Sequence, residues 1–349
     1  MSAAIPITSA PSRDDRGHGP TLASRVVGIA TPVGRMLLVA VTVVFLASVL
    51  TFALGALSGA NPAAAVLGET ATPADIARMK HEFGLDQPLW QQYLVWLGNA
   101  LQGDLGRSWF TTVPVTDSIA AALPVDLSIA GLALLIAVVT GGAAGIAAAL
   151  SNGGVVDRTV TVVCSVLATM PPFVVGIALI VVFSVKLDLL PSGGYVPIAQ
   201  DPVEWLRFAT LPALALSVDA AGALARQLRT SLVGALRENY STGAEMRGFS
   251  RRRVLFGHVL RNASGPALAV LGFAVPTIIG GAVIAEKLFN LPGIAQLALQ
   301  SAEQGDVPVI LGTLLVTVLV VLVASTLVNL AQTALNPLAR RAARPSGRS

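Results

Sequence analysis

Charge is what this 349-residue chain has least of. Asp, Glu, Lys and Arg together make up 12% of it, about half of the roughly 25% that a water-facing domain carries. Hydrophobic residues make up 54%, and the mean hydropathy is +0.73. Those values exclude a soluble cytosolic enzyme, a secreted disulfide scaffold and a disordered chain. Cysteine is nearly missing: Cys164 stands alone, which rules out an intramolecular disulfide and a cysteine-based metal cluster. There are three lysines, Lys80, Lys186 and Lys287, and none follows a glycine. The phosphate loop G-x-x-x-x-G-K-[ST] is therefore absent, and with it that route to ATP hydrolysis. Neither G-x-S-x-G nor H-E-x-x-H occurs, and no second histidine or cysteine stands at ligand spacing to His258. No catalytic residue and no metal ligand is assigned, and the chain reads as a non-enzyme.

What the chain has in quantity is long apolar sequence. A helix needs about 20 apolar residues to cross a bilayer, and residues 36–57 supply 22 without a charge. Further runs lie at 123–150, 160–183, 208–225, 266–285 and 309–330. They predict an all-α polytopic membrane protein with six transmembrane helices. A barrel would instead show alternating segments of about ten residues. Six crossings leave both termini on one side. The N-terminus, the loop around Asp157, residues 226–261 and the C-terminus hold 17 of the 23 basic residues and five acids. The opposite segments (58–122, 186–207 and 286–306) hold six basic residues and 12 acids. Basic flanks stay cytoplasmic, so both termini are predicted there. The pI near 9.7 then reports topology, and no nucleic-acid partner is expected; the lipid bilayer is.

The chain divides into a cytoplasmic tail (1–34) expected to be disordered, a first crossing (35–60), an extracytoplasmic loop (61–122), a five-helix core (123–335) and a basic tail (336–349). The 22-residue apolar core of the first crossing favours an uncleaved anchor over a signal peptide. In the outer loop, Thr72-Pro73-Ala74-Asp75 reads as a helix start, with Ile76, Met79 and Phe83 on one face and Gly84 as the stop. A second apolar stretch follows Pro88, with Leu89, Trp90, Tyr93, Leu94, Trp96, Leu97 and Leu101; aromatic residues there suit a membrane–water boundary. Two compatible readings stand: helices packed on the outer surface, and contact with an external partner.

Prolines interrupt three spans: Pro171-Pro172 midway through the third, Pro212 near the start of the fourth, Pro276 midway through the fifth. Each is expected to kink its helix, as suits a bundle around a pathway that opens and closes. Asp219 lies inside the fourth span, where a carboxylate costs a few kcal/mol. One reading has it line the pathway and meet a cationic part of the cargo; the other has it satisfied by Ser/Thr hydroxyls, or protonated. Asp126 and Glu286 lie nearer span ends, where water is available. Residues 226–261 carry eight arginines and two acids. A helical stretch, a break at Gly248 and a second helix bearing Val254, Leu255, Val259 and Leu260 predict a short elbow at the membrane surface. Composition alone favours an arginine-rich stretch resting on anionic headgroups.

This loop resembles that of the membrane permease subunits of binding-protein-dependent ABC importers, in the dipeptide/oligopeptide/nickel branch. The branch pattern Y-x-x-x-A-x-x-x-G-x-S-x-x-x-V-x-x-x-H-x-L-R-N-A is met by Tyr240, Ala244, Gly248, Ser250, Val254, His258, Leu260, Arg261, Asn262 and Ala263. Gly84-Leu85-Asp86-Gln87-Pro88 and Gly103-Asp104-Leu105-Gly106-Arg107-Ser108 resemble its outer-loop signatures. Leu211-Pro212-Ala213-Leu214 opens the fourth span as the family does, and Glu286, Phe289, Pro292 and Gly293 match its E-x-x-F-x-x-P-G segment. The likeness covers residues 35–341. Three departures stand out. The usual E-A-A is Thr242-Gly243-Ala244, a frequent Gly-Asp-Pro is Ala60-Asn61-Pro62, and Asp219 falls where the family has an apolar residue or proline.

The resemblance implies the type I importer permease fold, in a bacterial inner membrane. It also implies that loop 226–263 forms a coupling helix seated in a groove of an ATPase subunit. Tyr240, Ala244, Arg247, Gly248, Ser250, Arg251, His258, Arg261 and Asn262 would make that contact, the arginines pairing with acids on the partner and His258 holding loop to helix. Implied partners are a homologous second permease, two ATP-binding subunits that use ATP and Mg, and an extracytoplasmic substrate-binding protein. No cofactor is bound by this chain. Short peptides are the implied cargo, with nickel or another small solute as the alternative within the branch. A proton-coupled secondary transporter relayed by Asp219 is the alternative outside it. Asp219, Glu286, Pro171, Pro172 and Pro276 are the candidates for the translocation pathway.

Overall fold

The computed structural model describes residues 22–57, 62–68 and 70–335. The tail residues 1–21 and 336–349 lie outside the described residues. Helix α1 (Leu22–Leu57) begins ahead of the run at 36–57 and continues through it. Three short helices follow, α2 (Pro62–Leu67), α3 (Pro73–Glu82) and α4 (Leu89–Leu101). In α3 the expected signals act as read. Thr72 Oγ1 accepts from the Asp75 amide at 3.2 Å, the Asp75 carboxylate accepts from the Thr72 amide, and Pro73 takes the first helical position. Gly84, at φ +68°, ends the run, where a side chain would be strained.

The long helices are α5 (Val115–Ser151), α8 (Pro202–Leu236), α11 (Leu260–Phe289) and α13 (Val307–Leu335), with α6 (Val155–Thr169), α7 (Pro172–Leu179), α9 (Asn239–Met246), α10 (Arg251–Val254) and α12 (Ile294–Gln304) between them. α7 runs on into π-helical turns at Ile180–Lys186, and α10 reaches α11 through a second π segment at Leu255–Val259. No β-strand occurs among the described residues. Among the described residues, five helices are long and apolar enough to cross a membrane, and a sixth crossing is available if the bent pair α6–α7 is one span. The expectation of one kinked helix over 160–183 needs correcting. The pair is bent by 105° at its break, with Met170 extended and Pro171 starting the new direction. Two consecutive residues without an N–H withdraw two helical hydrogen bonds at one level, and the ladder stops instead of bending. α8 and α11 continue as helices through Pro212 and Pro276.

The core sits where α5, α8 and α11 meet. Val125, Ile129, Ala133 and Ala137 repeat every fourth residue along α5 and are buried against Ala209, Ala213, Leu216 and Ala220 of α8 and Ala274 and Ile278 of α11. Further along, small residues let the α5 and α8 backbones come together. A Cβ on Gly141 would stand 2.5 Å from the Ala221 carbonyl oxygen, and one on Gly145 would stand 2.8 Å from that of Ala225. This is the Gly-x-x-x-Gly mode of membrane helix packing, which works by close approach because lipid offers helices no hydrophobic drive to associate.

One end of the bundle is arginine-rich and the other acid-rich. At the arginine-rich end, Arg229 of α8 grips Asp157 at the start of α6 with two bonds of 2.7 and 2.8 Å, and the Gly153 amide donates to the same carboxylate. At the acid-rich end, Ser108 Oγ donates to Asp306 at 2.5 Å and the Trp109 amide donates to its other oxygen at 3.3 Å. Leu105, Val115, Ile119 and Val309 close a small core beneath. Burial pushes the Asp306 carboxyl above the ordinary carboxylate range, against the pull of those donors. The signature Gly103-Asp104-Leu105-Gly106-Arg107-Ser108 is thus what docks the loop onto the start of α13.

Candidate functional site

The arginine-rich loop folds as an elbow with a buried base and an exposed tip. α8 extends to Leu236, so residues 226–236 belong to that helix and the loop proper is shorter than the charge pattern indicates. After α9 the chain turns at Gly248, whose φ is +84°. A Cβ there would meet nothing within 4 Å. Glycine is needed for its backbone conformation, and the space around it is open to a partner. The second helix is α10 merging through the π segment into α11. Val254, Leu255 and Val259 are buried against Leu224, Leu228 and Leu232 of α8. That face was expected from spacing. Met246, Arg247 and Ser250 stay exposed around Gly248, Met246 by 85%. Arg253 lies over the Phe249 ring, 4.8 Å from its centre, a cation–π contact. Arg261 is exposed at the start of α11. The side chains of Tyr240, Ala244, Arg251, His258 and Asn262 lie outside the described residues.

The pathway candidates do not converge. Asp219 is the only exposed residue of α8 between 208 and 229; every other position on that stretch is buried or half-buried. Ser217, the nearest hydroxyl in sequence, donates to the Leu214 carbonyl instead. No hydrogen bond or ion pair joins Asp219 to another described residue, so the hydroxyl-satisfied reading finds no donor. Pro171 and Pro172 are exposed at the α6–α7 break. Pro276 and Glu286 instead line a cavity of about 790 Å³ between α5, α11, α12 and α13, walled by apolar residues such as Leu127, Ile279 and Leu314.

Glu286 is the largest surprise at the acid-rich end. It is 2% exposed, not close to water as its place near a span end led us to expect. Its Oε2 accepts from the Gln296 amide at 2.6 Å, while Asp126 Oδ2 accepts from the Ile294 amide at 2.9 Å. Two carboxylates from two different spans therefore hold the first turn of α12, where free amides and the helix dipole favour negative charge. Gly293 lets them do so, because a Cβ there would overlap both carboxylates. Phe289 is buried one turn after Glu286, and its carbonyl accepts from the Gly194 amide at 2.7 Å. Sequence alone marked Glu286, Phe289 and Gly293 as a spacing but gave no sign that Asp126, 160 residues earlier, completes it.

Two family models match the chain: binding-protein-dependent transport system inner membrane component over residues 141–341, and the N-terminal membrane component of such systems over 32–130. The chain belongs to that family of inner-membrane transport components. It is 36% identical to a putative peptide transport system permease protein of Brucella abortus, over 86% of this chain and 96% of that one. It is 34% identical to a probable peptide ABC transporter permease protein of Sinorhizobium fredii (88% and 98% covered). Glutathione transport system permease protein GsiC of Escherichia coli is also 34% identical (88% and 97% covered). The assignment rests on these. Overlap with the inward-facing MetNI methionine ABC transporter is partial, at TM-score 0.48 and 13% identity over 62% of this chain and 96% of that one. The protein is a multi-pass inner-membrane permease component, and both family matches take in described helices that cross the membrane.

Proposed function

We propose that this chain is a permease subunit of an ATP-driven importer of short peptides, with both termini in the cytoplasm. The observation that carries the proposal is the elbow at Gly248: an exposed tip of Met246, Arg247 and Ser250 on a left-handed turn, braced by buried Val254, Leu255 and Val259. A rigid, exposed, basic projection at the arginine-rich end is what an ATP-binding subunit would push against. Two such subunits, using ATP and Mg, would act on this chain and a second, homologous permease. An extracytoplasmic binding protein would deliver cargo to the acid-rich face. Asp219, a carboxylate at the one exposed position of α8 between 208 and 229, would then face the passage between the two permeases. Peptide cargo is favoured by what the relatives are called and by that carboxylate, which suits a peptide ammonium.

The test is reconstitution of all subunits in vesicles, with dipeptide uptake and ATPase activity measured together. Gly248→Asp is expected to leave the protein inserted and to abolish ATPase activity stimulated by loaded binding protein. Cargo accumulation by this chain alone, driven by an ion gradient, would overturn the proposal.

A further inference from the structure

Helix α4 has 13 residues and no charge. Its inward side packs on α1: the Tyr93 ring meets Phe52 edge-on at 5.4 Å and Phe45 at 6.2 Å, and Trp96 lies 6.3 Å from Phe52. The Tyr93 hydroxyl is 2.9 Å from Ser48 Oγ, and Ser48 is 1% exposed. These contacts fix a depth. Ser48 lies nine residues before the end of α1 at Leu57, about 13 Å along the helix axis. Half of a hydrocarbon core is about 15 Å. A helix whose tyrosine reaches that level of a crossing helix does not lie wholly in the water above it.

The outward side of α4 agrees. Trp90, Leu94 and Leu101, at spacings of four and seven, form one stripe and are 66%, 55% and 81% exposed. α1 itself leaves Leu46, Leu50 and Leu54 more than half exposed, so the two helices share an apolar exterior on the same level. We infer that α4 is sunk into the leaflet at the acid-rich end, with the Trp90–Leu94–Leu101 stripe against acyl chains. Charged α3 and the turn that follows it then stand in water. The inference needs only that α1 crosses the membrane and leaves it near the end of its apolar run, Leu38–Gly55; it holds whatever the cargo or energy source.

In the assembled transporter in nanodiscs, with Cys164→Ala as background, Trp90→Cys and Leu94→Cys are labelled with an environment-sensitive fluorophore, and Arg78→Cys on α3 serves as the water-facing reference. Labels at 90 and 94 are expected to emit blue-shifted light and to be quenched several-fold more by doxyl-labelled lipid than by aqueous iodide, with the reverse at 78. Equal or greater quenching by iodide at 90 and 94 overturns the inference. So does protection that appears only when a substrate-binding protein is added, which would make the stripe a protein-docking face. Leu101→Cys, at the far end of the stripe, decides the matter independently if one of the other variants misfolds.

Discussion

The approach of α5 to α8 can be tested by adding a single methyl group. On Gly141 it would stand 2.5 Å from the Ala221 carbonyl oxygen and 3.0 Å from its Cα. Carbon–oxygen contacts in helix interfaces settle near 3.3 Å, so the helices must part locally by about 0.8 Å. A gap of that size forfeits about a quarter to a half of each dispersion contact it spans, and overpacking of this kind costs about 1–3 kcal/mol. Gly142, the next residue, provides the control, since a Cβ there meets nothing within 4 Å. Gly141→Ala and Gly142→Ala make the same change in composition and in helix propensity, so their difference isolates the contact. Titration of the purified protein from mixed micelles into sodium dodecyl sulfate gives the unfolding free energy of each. Gly141→Ala is expected to lose about 1–3 kcal/mol relative to Gly142→Ala. Adding Gly145→Ala should then cost less than it does alone, because the helices have already moved apart. Two indistinguishable single variants would refute the close-packing account.

Other outcomes follow from the two ends of the bundle. Asp157→Ala leaves Arg229 without its bidentate partner. Because Arg229 is 35% exposed, the loss should fall below that for a fully buried pair, at about 1–3 kcal/mol in the same titration. Gly293→Ala forces a methyl group between Asp126 and Glu286, and should speed amide hydrogen exchange in the first turn of α12 while leaving α3 unchanged. On the acid-rich side, the hydrogen bond and charge of Asp86 hold the exposed His81 imidazole above its ordinary pKa. A histidine raised by a partner stabilises the fold below its unfolded value, and that contribution is lost as pH rises through the folded value. The turn after α3 should therefore loosen as pH climbs through that raised value. In a histidine titration followed by NMR, Asp86→Asn should bring the His81 midpoint down.

Much of this was legible in the sequence, for identifiable reasons. Long apolar runs can only be helices in a membrane, because backbone groups find no other partners there, and local caps such as Thr72–Asp75 announce themselves within four residues. The buried face of Val254, Leu255 and Val259 was visible as helical spacing. Contacts between distant residues were not legible. Nothing in the text near Asp126 points to Ile294, and Asp157 looks like any first-turn acid until Arg229 arrives from α8. The α6–α7 break was underestimated because a single proline bends a helix, whereas an adjacent pair stops it. Asp219 was singled out for its cost, but spacing could not show that it would be the one exposed position of α8 between 208 and 229.

The two-carboxylate grip on α12 has a mechanical consequence. Its anchors sit on α5 and α11, and its far end leads directly into α13, so three crossings are braced at one rim by a single short strut. Sliding any of them lengthwise would strip donors from buried oxygens. Of these, α5 and α11 are also meshed with α8, backbone to backbone or side chain to side chain. What is left to bend is the corner at Met170 and Pro171, where no ladder of hydrogen bonds has to be broken first. Because Asp157 ties α6 to α8 through Arg229, movement between open and closed forms should bend at that corner, shifting α7 against α6 while α6 travels with the helices it is tied to.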